Sequence, residues 1–210
     1  SLLDDSLKEQ LVPILERFAN RITLRTVLEK DTDFSRELRS FLEDFARLSD
    51  KVQVEFLYKG EDPTKEKEAN IPLYPAVAIL GQEGVYTGVQ FHGIPGGHEF
   101  NSFILALYNA AGPGQEISEE SLAKIHGVDK KVNIKVGVSL SCTLCPDVVT
   151  LSQLMALKNP LIEAEMIDVA HYPEFKNKYS IMSVPAIVIN DEKVIFGKKN
   201  LDELVELVKG

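Results

Sequence analysis

The 210-residue sequence predicts an α/β protein made of two copies of one β-α-β-α-β-β-α unit, each preceded by an extra helix. Three observations lead there. Short runs that alternate like strands take turns with apolar residues at helical spacing. The segments follow in the same order in both halves. A shift of 110 in the numbering also lays three strand candidates onto three others: Ile22–Val27 onto Val132–Gly137, Val52–Phe56 onto Ile162–Met166, and Tyr74-Pro75-Ala76-Val77 onto Val184-Pro185-Ala186-Ile187. Crossover helices join parallel strands and a closing hairpin adds antiparallel ones, so mixed sheets flanked by helices are expected.

In the first half, Leu7, Leu11, Ile14, Leu15 and Phe18 recur at helical spacing. Ile22–Val27 alternates as a strand, and Phe34, Leu38, Phe41, Leu42 and Phe45 mark an amphipathic helix. Val52–Phe56 is the next strand. The highly charged run 59–70 reads as a loop or frayed helix with a solvated face. Pro75–Leu80 is a strand with a proline at its start, and Leu73-Tyr74-Pro75 a bend ahead of it. Gly81 and Gly84 suggest a hairpin into Val85–Thr87 or Val89–Phe91. A helix over about 98–111 follows, with His98-Glu99 read first as its cap and otherwise as a remnant site or a contact to the second half. Gly112-Pro113-Gly114 then breaks the chain, which sets a boundary between residues 1–113 and 114–210.

The second half repeats the order, with a strand over Val132–Val138 and a helix marked by Val148, Val149, Leu151, Leu154, Met155 and Leu157. Both cysteines of the chain fall between these two segments, in Ser141-Cys142-Thr143-Leu144-Cys145-Pro146-Asp147. Two thiols separated by two residues at a helix start can close into a disulfide with little backbone movement, as a reversible dithiol switch requires. The helix N-terminus favours a negative sulfur on Cys142, with Cys145 one turn in and less exposed. Pro146 suits a first turn. Asp147 suits it too, although its charge opposes a thiolate. Cys142 is therefore expected to attack a substrate disulfide and Cys145 to resolve the mixed disulfide. Thr32 and Ser35 stand where the cysteines would fall in the first copy, so that half can hardly perform the same chemistry.

Val184-Pro185-Ala186 is the second informative motif. A cis peptide bond at Pro185 would turn Val184 beside the thiols and leave its N–H and C=O free to pair with an extended substrate segment. The Pro185 ring would also keep metal ligands from the sulfurs. A plain turn proline is the competing reading.

Other chemistries fit less well. Zinc wants four ligands, and His92, His98, His126 and His171 lack the spacing to complete a site with the two thiols. An inert core pair is the remaining bland reading. His171-Tyr172-Pro173 reads as a surface turn. Gly93-x-x-Gly96-Gly97 lacks the three-glycine spacing of a dinucleotide cradle, so reducing equivalents must come from elsewhere. A net charge of -9 disfavours nucleic acid or anionic membrane as a partner. No apolar run approaches a transmembrane length, and Ser1-Leu2-Leu3-Asp4-Asp5 is not a secretory signal. Two cysteines are too few for a stapled secreted scaffold, so a cytoplasmic location is expected.

Ser139–Val149 with its Cys-x-x-Cys-Pro-Asp, Met182-Ser183-Val184-Pro185-Ala186 and Gly97-His98-Glu99-Phe100 resemble the N-terminal domain of the bacterial alkyl hydroperoxide reductase flavoprotein subunit over nearly the whole chain. The resemblance implies two fused thioredoxin-like folds, 1–113 without redox cysteines and 114–210 carrying Cys142 and Cys145. Pro185 would be the cis proline, supported by Val184, Pro146, Thr143 and Leu144, and Glu99 would lie in the vestigial site. It further implies a relay from a flavin and NADH part, a thioredoxin-reductase-like domain outside this chain, to a peroxiredoxin subunit. Thr143-Leu144 departs from the family's usual His-Asn middle pair, which bears on potential and docking. Val136 stands where thioredoxin proper keeps a buried acid, so behaviour closer to a glutaredoxin is expected. A general protein disulfide oxidoreductase and a non-redox binding module stapled by its disulfide remain as alternatives.

Overall fold

The computed structural model describes residues 3–210. Its first eight elements are α1 (Asp5–Glu16), β1 (Ile22–Leu28), α2 (Asp33–Ala46), β2 (Val52–Tyr58), α3 (Pro63–Glu68), β3 (Ala76–Leu80), β4 (Tyr86–His92) and α4 (Glu99–Ala111). The next eight repeat that order as α5 (Glu119–His126), β5 (Val132–Val138), α6 (Cys145–Lys158), β6 (Ile162–Asp168), α7 (Pro173–Lys178), β7 (Ala186–Ile189), β8 (Lys193–Phe196) and α8 (Leu201–Lys209).

Local chemistry explains where these elements start. Asp4, Thr32, Asp62, Ser118 and Asn200 each accept a backbone N–H from the first turn of their helix. Asn200 and Glu203 complete a reciprocal capping box. Pro63 and Pro173 open α3 and α7, where a missing N–H costs nothing.

The strands form one continuous sheet, in the order β2-β1-β3-β4-β6-β5-β7-β8. Each half contributes a parallel pair followed by antiparallel strands, and equivalent registers recur: Ile22 pairs with Val52, and Val132 with Ile162. The two halves share this mixed sheet because β4 runs parallel to β6 from Val89↔Ala164 to His92↔Ile167. At this join Gly88 is required, since a Cβ there would lie 2.7 Å from the Ile162 carbonyl oxygen. Helices α4 and α6 pack together over the seam. The larger of two apolar clusters runs through both halves, with Phe103 edge-on to Phe45 and Phe91 at 5.3 Å each.

The other face of the seam is polar. Buried Glu165 bonds His92 Nε2 at 2.7 Å and accepts from Asn133 Nδ2 at 2.7 Å, with Lys135 Nζ 3.3 Å away. Glu163 accepts from Asn70, Asn133 and the Tyr86 hydroxyl. Burial acts to raise the Glu165 pKa, but His92, Lys135 and Asn133 outweigh it and hold the carboxyl below its usual range.

Three readings of the sequence change here. The run 59–70 contains α3, and Glu66 is buried because its carboxylate accepts from Gly60 N and the Tyr74 hydroxyl. His98 does stand at the start of α4, but its side chain makes no capping bond. Tyr172 is buried rather than part of a surface turn, and it reaches across the seam.

Candidate redox site

Strand β5 ends at Val138, and Ser139–Leu144 turn the chain into α6. Cys145 is the first residue of that helix, with Leu144 at its N-cap and Cys142 in the preceding turn. The cysteines thus sit earlier than the sequence suggested: Cys142 precedes the helix and Cys145 opens it. Leu144 offers no side-chain acceptor, so the leading N–H groups of α6 have no local cap. Cys142 N donates to Ser139 O at 3.0 Å, which fixes the turn.

Cys142 and Cys145 form a disulfide with their Cα atoms 5.6 Å apart. Their surroundings differ. Cys145 is fully buried in the core that packs α6 against the sheet, whereas Cys142 is half-buried at its edge. Cys142 is therefore the more accessible of the two.

The bond between Val184 and Pro185 is cis, and Pro185 enters β7 directly. Val184 is half-buried, and its carbonyl oxygen lies 3.9 Å from Cys142 Sγ. Gly197 N donates to Pro185 O, tying the loop after β8 to the same corner. Thr143 and Leu144 project from the turn, Leu144 being 51% exposed, and Pro146 lies half-buried in the first turn of α6. Two exposed apolar side chains flank the cis proline: Met182, two residues ahead of Val184, and Phe196, which pairs with Ala186. Asp147 is paired with Lys198 at 3.0 Å, a contact no sequence pattern signalled, and the lysine offsets the charge that opposes a thiolate.

The first half keeps the backbone of this site and fills it differently. Tyr74–Pro75 is also cis. Thr32 Oγ1 accepts from Ser35 N, and Ser35 Oγ accepts from Glu29 N, so both hydroxyls serve backbone groups. The Tyr172 hydroxyl donates to Pro75 O at 2.6 Å, and Phe34 stacks on His171 at 4.3 Å. The second half's loop thus covers the cysteine-free corner.

Glu99 opens α4 and is fully buried. Ser102 donates to its Oε1 at 2.6 Å, while Oε2 has no partner. Burial pushes its pKa up to about 7, against the Ser102 hydrogen bond and with help from Asp168. The preceding loop touches the thiol-bearing segment, for His98 N donates to Leu140 O at 2.9 Å. Val136, where thioredoxin-type sites keep an acid, is buried and apolar. Glu99, on the other half, lies behind the loop that bonds Leu140, a contact no pattern within residues 114–210 can reveal.

Among the described residues, no group of three or more His, Cys, Asp or Glu is arranged to hold a metal ion. No helix among them is long and apolar enough to cross a membrane.

A half-exposed cysteine bonded to a buried one, ahead of a helix and facing a cis proline, defines a thioredoxin-fold redox domain. A family model described as "Thioredoxin domain" matches residues 132–209. The alkyl hydroperoxide reductase AhpF of Pseudomonas aeruginosa is 33% identical over 97% of this chain, and the match spans 37% of that relative's length. The structure of the AhpF protein of Enterococcus faecalis (C503A mutant) superposes with a TM-score of 0.94 at 40% identity, covering 99% of this chain and 100% of that one. The NTD_N/C domain of the same organism's AhpF gives 0.92 at 40% identity, covering 98% and 99%. The chain belongs to the AhpF family of alkyl hydroperoxide reductases, and it corresponds to that family's N-terminal domain.

Proposed function

We propose that this chain is a dithiol electron relay that carries reducing equivalents from a flavin and NADH reductase part to a peroxiredoxin, as part of cytoplasmic defence against hydroperoxides. Residues 114–210 are the carrier unit and residues 1–113 a cysteine-free unit that supports it. In the reducing direction the Cys142 thiolate attacks one sulfur of the partner disulfide and releases the other as a thiolate. Cys145, deprotonated, then attacks Cys142 Sγ; the mixed disulfide breaks, the partner leaves fully reduced and Cys142–Cys145 is oxidised. The reductase part, outside residues 1–210, returns two electrons to the pair. Pro185, Val184, Pro146, Thr143 and Leu144 shape the corner at which a partner strand is received, and Glu99 belongs to the vestigial half.

The observation that carries this reading is the asymmetry of the disulfide, with Cys142 half-buried below the Val184 carbonyl and Cys145 inside the core. The family's name supports the peroxide system as its setting. The test compares reduction rates. The reduced chain should reduce an oxidised typical two-cysteine peroxiredoxin at least tenfold faster than insulin. Equal rates would point instead to a general protein disulfide oxidoreductase of glutaredoxin type. No reaction with either would favour a binding module stapled by its disulfide.

A further inference from the structure

We propose that Met182 is a site of hydroperoxide oxidation, and that its sulfoxide slows exchange between the dithiol and protein disulfides while sparing small ones. The inference rests on the relay reading above and adds a modification to the same site.

The chain has three methionines, and the fold treats them in opposite ways. Met155 in α6 and Met166 in β6 are 0% exposed, whereas Met182 is 91% exposed. Oxidation of a thioether requires its sulfur to meet the peroxide, so the core shields two of the three sulfurs and offers the third. Met182 also occupies a position of consequence. It stands two residues ahead of Val184, whose carbonyl oxygen lies 3.9 Å from Cys142 Sγ, and exposed Phe196 pairs with Ala186 on the other side of Pro185.

The chemistry balances without a further reagent. A lone pair of the Met182 sulfur attacks the terminal oxygen of an organic hydroperoxide, and the O–O bond breaks. The sulfur gains that oxygen and loses two electrons, and the hydroxyl proton passes to the departing alkoxide as alcohol. The product replaces a flexible apolar side chain with a polar one bearing a strong acceptor. A protein partner closing over residues 182–184 must strip water from that oxygen, a cost the apolar thioether does not impose. A small disulfide reaches Cys142 without covering residues 182–184 and does not meet this cost.

The experiment treats the disulfide form with tert-butyl hydroperoxide and locates added oxygen by peptide mass spectrometry. Mild reduction with dithiothreitol then restores the dithiol and leaves the sulfoxide. Oxygen should appear on the Met182 peptide with Met155 and Met166 unmodified. Insulin reduction should fall about tenfold, while reduction of glutathione disulfide stays within about twofold of the untreated chain. A Met182→Leu chain should keep its own untreated insulin rate after the same exposure. Absence of oxygen on Met182, an unchanged insulin rate in the oxidised chain, or an equal loss in Met182→Leu would each overturn the proposal. A chain inactive toward both disulfides before treatment would overturn the relay reading and the claimed effect on exchange, while mass spectrometry would still decide the modification.

Discussion

The backbone N–H of His98 donates to the carbonyl of Leu140 at 2.9 Å, so the loop opening the last helix of the cysteine-free half is bonded to the segment two residues ahead of Cys142. Gly97 makes this approach feasible. Its φ is +54°, and a Cβ there would lie 2.6 Å from the Leu140 oxygen. Gly97→Ala is therefore expected to lower stability by about 2 kcal/mol or more through strain and steric overlap. Gly81→Ala, whose nearest neighbour would be Val85 O at 3.8 Å, should stay within about 0.5 kcal/mol. Urea unfolding of the two variants checks the contrast, and equal losses would contradict the role assigned to the contact.

The buried Glu99 carboxyl predicts a pH-dependent stability. Its pKa is raised from 4.5 to about 7 by burial, so the folded chain binds this proton more tightly than the unfolded chain does. Stability is then fully present below about pH 4.5 and declines as the pH rises through about 7. The shift corresponds to at most about 3 kcal/mol. Glu99→Gln, which removes the charge and keeps a polar group, should lose most of that decline between pH 5 and 8. Thermal unfolding of both chains across this range reads the difference, and parallel curves would contradict the prediction.

The seam network predicts the opposite response in acid. Glu165 is held below the usual carboxylate range, so its contribution is present near neutrality and lost as the pH falls through its folded value. Lys135→Met removes one charged partner of a buried carboxylate and should cost about 3–5 kcal/mol near neutrality. Denaturant titration at neutral and acid pH would measure this, with the gap between the chains narrowing once Glu165 is protonated.

The roles of the two cysteines are separable. Cys142→Ser should abolish exchange with protein disulfides, because the half-exposed sulfur is gone. Cys145→Ser should leave attack intact and accumulate a mixed disulfide that a non-reducing gel displays. Accumulation with Cys142→Ser instead would reverse the assignment.

How far these features could be read in the sequence depends on how local their causes are. The strands β1, β2, β5 and β6 were legible because each alternates or is apolar throughout, and their repeat spacing reinforced the reading. The bend at Pro75 was legible for the same reason, being in register with Pro185, and both bonds are cis. The short helix α3 was obscured by its charges, since the burial of Glu66 depends on Gly60 and Tyr74 rather than on periodicity. The pairing of β4 with β6 left no local mark, because neither the apolar face nor the His92–Glu165 contact on the polar face reveals in sequence which edge a strand meets. Glu99 stood out beside His98 in the sequence, but its burial, like the roles of Tyr172 and Lys198, became visible only once elements distant in sequence were brought together.

The central claim is that Cys142 and Cys145 interconvert between dithiol and disulfide within the folded chain and act as a reductant toward partners. An equilibrium titration against glutathione or dithiothreitol, read by thiol alkylation under native conditions, tests it most directly. The account predicts one reversible two-electron transition with a midpoint below about -200 mV. A pair that resists reduction until the chain unfolds, or a midpoint well above that value, would contradict it.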